Sequence, residues 1–248
     1  MGFLAMIIFY KRMIFLFSLI LALLVSLASC ATNIDGLVRE DGSAAITLQT
    51  SLEPRTIALV RSIRGFLGET TDAPILDGAA ISRSITEAAG VSSAALTNTS
   101  PTALAGSIAL ANVDDFLAAA GTAEQFINFT SGAAPGSSSI VITLDRNTAL
   151  ALIANLSPEL AEYLSVLMAP VITGENITRQ HYLNLLAMVY GRALSDEIAA
   201  ARVHASIQFP RTITTIHGGT AAGNRAEFDI PLVDLMVLEH PLRYEIRW

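Results

Sequence analysis

The chain has 248 residues, is 52% hydrophobic and 15% charged, and carries a formal net charge of −7. An acidic chain with no basic block lacks the surface that neutralises phosphates, which argues against DNA or RNA as a partner. A single cysteine excludes an internal disulfide, so the fold relies on its core.

The first segment differs from everything after it. Met1 to Ser29 contains no acidic residue. Lys11 and Arg12 form a basic pair, and an apolar run from Met13 to Val25, broken only by Ser18, follows. This is the order of a secretory signal: basic residues, an apolar stretch, then small residues before a cut. The apolar stretch is about 13 residues long, short of the roughly 20 that span a bilayer as a helix.

The stretch ends in Leu27-Ala28-Ser29-Cys30, which resembles the lipobox of bacterial lipoproteins. The resemblance implies a diacylglyceryl group on the Cys30 thiol, cleavage before Cys30 and acylation of the new amino group. Residues 1–29 are then a cleaved lipoprotein signal peptide. Residues 30–248 are one globular domain held in the cell envelope by lipid on Cys30, so the membrane is the first expected partner. Ala31, in the sorting position, points to the outer membrane. Two or three acyl chains on one residue would make the attachment nearly permanent, since a single chain binds only marginally. Lys11 is the only lysine, so the 13 basic residues past the cut are all arginine and face 22 acids.

The mature chain reads as strands first. Asn33 to Arg39 and Ala44 to Thr50 flank Asp41-Gly42, a strong hairpin signal. Pro54 opens a helix from Arg55 to Phe66, with Ile57, Val60 and Ile63 on one face. A polar loop, Gly68 to Pro74, leads to a helix over Ile75 to Ala88. Val91 to Asn98 and Ala103 to Ala111 are strands around Ser100-Pro101, the second presenting Leu104, Gly106, Ile108 and Leu110 on one face. Asn112 caps a short helix through Phe116 to Ala120. Gln125 to Thr130 and Ser138 to Leu144 make a further hairpin.

The middle turns helical. Asp145 caps Thr148 to Asn155, and Ser157-Pro158-Glu159 starts a helix with the apolar stripe Leu160, Leu164, Leu167 and Met168. Thr178 starts another, with Tyr182, Leu185, Leu186 and Val189 facing inward. Strands return at Val203 to Phe209, Arg211 to His217 and Arg225 to Ile230, with Gly218 to Gly223 as a turn. Pro231 to Val237 is a turn or short helix. From Leu242 to Trp248, the residues Leu242, Tyr244, Ile246 and Trp248 alternate with Arg243, Glu245 and Arg247, which predicts one buried and one wet face. The fold class is α+β: a mainly antiparallel sheet with a helical insertion in the middle of the chain.

The early hairpin and the late segments Ile213 to Gly219, Ala226 to Leu232 and Pro241 to Tyr244 resemble the LppM-type bacterial lipoprotein domain. The resemblance covers the two ends of the chain. It implies an α+β domain that holds lipid or glycolipid and has no catalytic residues.

Little in the sequence speaks for chemistry. His181, His204, His217 and His240 have no metal-ligand spacing, and no G-x-S-x-G motif is present. No cofactor, metal or catalytic residue is expected. Gly218 to Gly223 is followed by Asn224-Arg225 and not by Lys-Ser/Thr, so it is not a phosphate loop. Asp114-Asp115 suits the first turn of a helix. The candidate ligand-binding cluster is Arg211, Arg243, Tyr244, Arg247 and Trp248, because arginine suits anionic groups and the aromatics suit sugar or acyl surface. Its alternative is an ordinary sheet with ion pairs to Glu227 or Glu245. The expected function is a non-enzymatic, membrane-anchored lipoprotein binding a lipid-like or other apolar ligand. The alternatives are an assembly protein working through contacts with envelope proteins, and a hydrolase built on His181 or His204 with an acid.

Overall fold

The computed structural model describes residues 30–66, 75–87, 89–119, 126–132, 134, 136–149, 164–165 and 167–248. The signal segment, the Gly68–Pro74 loop and the helix start at Ser157-Pro158-Glu159 lie outside them. Strands β1 (Cys30–Val38) and β2 (Ala44–Leu52) form the hairpin expected around Asp41-Gly42, in register from Cys30 opposite Leu52 to Val38 opposite Ala44. Gly42 takes φ 79°, which glycine adopts without a Cβ penalty. The strand starts at Cys30, earlier than the apolar alternation marks. The reason is Thr32, a polar residue on the inner face: its hydroxyl meets that of the buried Thr50 at 3.0 Å.

Helix α1 (Pro54–Phe66) opens on its proline. The orphan N–H groups of Arg55 and Thr56 donate at 3.1 and 3.2 Å to the two carboxylate oxygens of Glu197. Helix α2 (Gly78–Thr86) starts after Asp77, whose Oδ1 accepts from the N–H of Ala80 at 2.9 Å, and so begins later than the predicted Ile75. Strands β3 (Val91–Ser100) and β4 (Ala103–Leu110) form the second hairpin, and β4 pairs with β2. That leaves β3 as a long edge strand.

Helix α2 lies along this edge and blunts it. Ser82 Oγ accepts from the Leu96 N–H at 2.6 Å and donates to the Leu96 carbonyl at 3.1 Å. One hydroxyl thus completes both outward-facing backbone bonds of an edge-strand residue, on the side where no strand lies. Asn98 ties down the helix start, its Oδ1 accepting from the Gly78 N–H at 3.0 Å. An unprotected edge of this length would be a template for intermolecular pairing. On the other side of the hairpin Gly106 lies against the Ala95 carbonyl, where any Cβ would collide.

The first sheet is completed from the far end of the chain. Strand β7 (Arg202–Gln208) runs parallel to β1, from Ala31 opposite Arg202 to Leu37 opposite Gln208. Strand β10 (Arg225–Pro231) pairs antiparallel with β7, and β9 (Thr220–Ala222) with β10. The order is β3-β4-β2-β1-β7-β10-β9. A second sheet has the order β5-β6-β11-β8, from β5 (Ile127–Thr130), β6 (Ser139–Leu144), β8 (Thr215–His217) and β11 (Leu242–Arg247). The class is α+β and antiparallel-rich, as expected, with two sheets and one parallel pair that the sequence reading did not contain.

Two local expectations change. Arg211 to His217 is a strand only at Thr215–His217, because Ile213 and Thr214 donate singly to the Gly223 and Arg247 carbonyls, at 2.9 and 2.8 Å. Gly218 to Gly223 is not one turn: it contains β9, and the reversal falls at Gly223-Asn224.

Among the helices, α3 (Val113–Ala119) is capped by Asn112, whose Oδ1 accepts from the N–H groups of Asp114 and Asp115 at 2.8 and 3.2 Å. Asp145 caps the described turn 146–149 through Thr148 N–H at 2.8 Å. After α4 (Pro170–Thr173), α5 (Arg179–Tyr190) is capped by Thr178, as expected, and also receives Glu239, which accepts from the Arg179 N–H at 3.0 Å. Its stripe is buried at Tyr182 and Leu186 but opens at the last turn, where Val189 is 55% and Met188 74% exposed. Val189 therefore does not face inward, since the chain reverses just beyond it at Gly191. Helix α6 (Arg192–Ala200) was not foreseen, because Leu194 and Ile198 are its only large apolar residues. Helix α7 (Leu232–Val237) follows β10. Leu164 and Leu167 are buried, whereas Met168 is turned out with φ 49°.

Ser82→Ala should leave two buried-edge backbone groups of Leu96 unpaired and cost about 1–3 kcal/mol. Urea unfolding measures this; an unchanged midpoint would mean that the edge is satisfied by another group.

Candidate functional site

The C-terminal strand and the residue just after it hold four of the five residues named as a ligand-binding cluster, and the alternation sends them to two faces. Tyr244 and Trp248 point between the two sheets. Trp248 is only 2% exposed; its ring lies 4.5 Å from that of Phe209 and 6.0 Å from that of Phe129. Tyr244 meets Phe228 edge-on at 5.6 Å, and burial raises its phenol pKa. These rings form an aromatic seam joining β10 of the first sheet to β11 of the second. Gly218-Gly219 lets the β8–β9 connection lie against the seam: a Cβ on Gly218 would meet Tyr244 at 2.6 Å, and one on Gly219 would meet Phe228 at 2.6 Å.

Arg243 and Arg247 stand on the opposite face, and both hold Glu245. Arg243 Nη2 is 2.6 Å from Glu245 Oε2, and Arg247 Nε is 2.7 Å from Oε1. The predicted wet face therefore contains a covered carboxylate, because two arginine stems two residues away fold over it. Arg211 donates to the Gly132 carbonyl at 2.8 Å, and Gly132 is joined through Ser138 to the Trp248 backbone, so Arg211 lies near the Trp248 end of the strand. The five residues do not form one surface: the aromatics belong to the seam, and the two strand arginines share an acid.

A different group of side chains lines an open concavity of about 470 Å3. Its walls are His204 of β7, Glu227, Phe228 and Asp229 of β10, Gly218 and Gly219 of the β8–β9 connection, and Thr220 of β9. Antiparallel register places His204 opposite Asp229, and Glu227 opposite both Ser206 and Thr220. Asp229 is 3.8 Å from Arg202, with its side chain 63% exposed. The concavity offers an imidazole, a hydroxyl and carboxylates to solvent, beside the apolar surface of Phe228. The sequence could not reveal it, because Thr220 and His204 are neighbours only through β10. His181 stands apart, exposed at the start of α5. Among the described residues no group of three or more His, Cys, Asp or Glu is placed to hold a metal, and no helix is long and apolar enough to cross a membrane.

No family model matches the chain, and no curated protein matches it. Among solved structures, the folded domain of LppM from Mycobacterium tuberculosis is similar over 89% of each chain, with 10% identity and a TM-score of 0.37.

The two guanidiniums hold the Glu245 carboxyl below its ordinary value of 4.5. A lowered folded pKa stabilises the fold above the ordinary value, and that contribution is lost as pH falls through the lowered one. Glu245→Gln should therefore reduce stability at neutral pH. The gap between variant and wild type should close below about 4.5 in urea unfolding repeated across a pH series, and a gap independent of pH would assign the effect to packing.

Proposed function

We propose that this chain is a non-enzymatic lipoprotein of the cell envelope, anchored by lipid on Cys30 and acting through contacts with other envelope proteins. The observation that carries the anchor is the basic-apolar-lipobox order ending at Cys30, followed without a spacer by strand β1. Cys30 also has no other cysteine to pair with.

The mode of action follows from what the surface offers. An apolar ligand was expected around Tyr244 and Trp248, but these rings pack against Phe228, Phe209 and Phe129. The concavity at His204 is open to solvent, and Met188 and Val189 are exposed on α5. An open concavity walled by exposed charged side chains supports contact with a protein partner over an enclosed acyl chain.

Cys30→Ser should abolish incorporation of an alkyne-tagged palmitate and move the protein from the membrane to the soluble fraction of a bacterial host. A variant that stays labelled and membrane-bound would refute the anchor.

A further inference from the structure

The backbone of the first sheet is left open at one step of β10. The even-numbered positions of this strand face β7: just before it Asn224 accepts from the Phe209 N–H at 2.8 Å, and just after it Leu232 donates to the Ala201 carbonyl at 3.1 Å. Antiparallel bonding alternates, so Arg225, Glu227, Asp229 and Pro231 turn their backbone groups to the other side. There β9 answers Arg225 with Ala222 and Glu227 with Thr220, and stops. Continued in register, Gly218 would face Asp229. Instead a Cβ on Gly218 would meet Tyr244 at 2.6 Å and the Arg243 carbonyl at 2.8 Å, so the chain has already crossed to the second sheet. The N–H and C=O of Asp229 therefore point out of the sheet edge and meet no partner among the described residues. Pro231, the next outward residue, has no N–H to leave open.

The concavity lies at this step, with Asp229, Gly219 and Thr220 among its walls. Glu227 and Asp229 are both exposed on the outer face of β10, and Glu227 has no hydrogen bond or ion pair among the described residues. Two arginines stand near. Arg202 is 3.8 Å from Asp229 and gives its Nη1 to the Ala199 and Ala201 carbonyls. Arg225 turns away to Ser206 at 2.6 Å and Asp35 at 3.7 Å. His204 stands in the wall, and His217 precedes Gly218 in the connection.

We infer that this step receives an extended segment of a protein partner, added beside Asp229 in line with β9, with a lysine or arginine opposite Asp229. The inference rests on the protein-contact reading above and names how the contact is made. Strand addition draws affinity from main-chain bonds and selectivity from alternate side chains. A partner residue opposite Asp229 exchanges both backbone bonds with it, and its side chain lies on the outer face near the Asp229 and Glu227 carboxylates. A cation there is attracted across the strands, and an acid is repelled. The far edge of the same sheet is closed to such a guest at Leu96, whose outward groups Ser82 already holds.

The test uses the full chain, processed and acylated in a bacterial host and held in detergent. The probes are the acetylated and amidated peptide Thr-Val-Thr-Lys-Thr-Val-Thr and its counterparts with glutamate or alanine at the centre. Binding is read at millimolar peptide by saturation transfer from protein to peptide. The expected result is several-fold stronger transfer to the lysine peptide than to the glutamate one, a difference that falls with salt and is lost when the central lysine is N-methylated. Asp229→Pro removes only the outward N–H and should abolish binding with an unchanged urea midpoint. Glu227→Gln/Asp229→Asn keeps the backbone and should bind all three peptides alike. No transfer, equal transfer to the three peptides in the wild type, or transfer unchanged in Asp229→Pro would overturn strand addition. Crosslinking in intact cells separates the two readings. Adducts with envelope proteins that persist in Asp229→Pro would sink strand addition and leave protein contact standing, and a chain that forms no adduct would sink both.

Discussion

The parallel pairing of β1 with β7 joins residues 31–37 to residues 202–208, and every element from α1 to α6 is held between these two strands in sequence. Strand β1 bonds to β2 on one side and β7 on the other, so the first strand of the described fold sits inside its largest sheet. The rest of that sheet grows outward from it, through β2 and β4 to the β3 edge and through β7 and β10 to the short β9. Long-range pairing of this kind must meet the cost of closing a large loop before it is rewarded. The local hairpins β1–β2 and β3–β4 form without that cost and supply the platform on which β7 docks.

Charged side chains finish what the backbone leaves open. Arg146 donates to the Val237 and Leu238 carbonyls at 3.3 and 3.2 Å, at the end of α7. Arg202 donates to the Ala199 and Ala201 carbonyls at 2.8 and 2.9 Å, at the end of α6. Glu197 and Glu239 receive N–H groups at the starts of α1 and α5. Cations thus lie at helix C-termini and anions at N-termini, the arrangement the helix dipole favours. Arg146 spans its two carbonyls with Nε and Nη2 of the guanidinium fork, whereas Arg202 reaches both of its carbonyls with Nη1 alone.

Local signals in the sequence were legible where neighbours along the chain decide the structure. The Asp41-Gly42 turn, the proline opening α1 and the caps at Asn112, Asp145 and Thr178 all act within a few residues, and all appear in the fold. Where distant residues decide, the sequence was silent. Thr32 faces the core only because Thr50 answers it across the hairpin. Helix α6 has too few apolar residues to show a stripe. The alternation in β11 separated its two faces correctly, but could not reveal that Trp248 would be covered by Phe209 and Phe129, or that both flanking arginines would close over Glu245. The concavity at His204 needs three strands to come together, and no spacing along the chain encodes it.

The interior position of β1 bears on how the domain carries load. A pull applied at Cys30 runs along the axis of β1 and so shears two hydrogen-bond ladders, to β2 and to β7, at the same time. An edge strand would instead peel away one bond after another. A domain pulled through this strand would resist force through many bonds sharing it together.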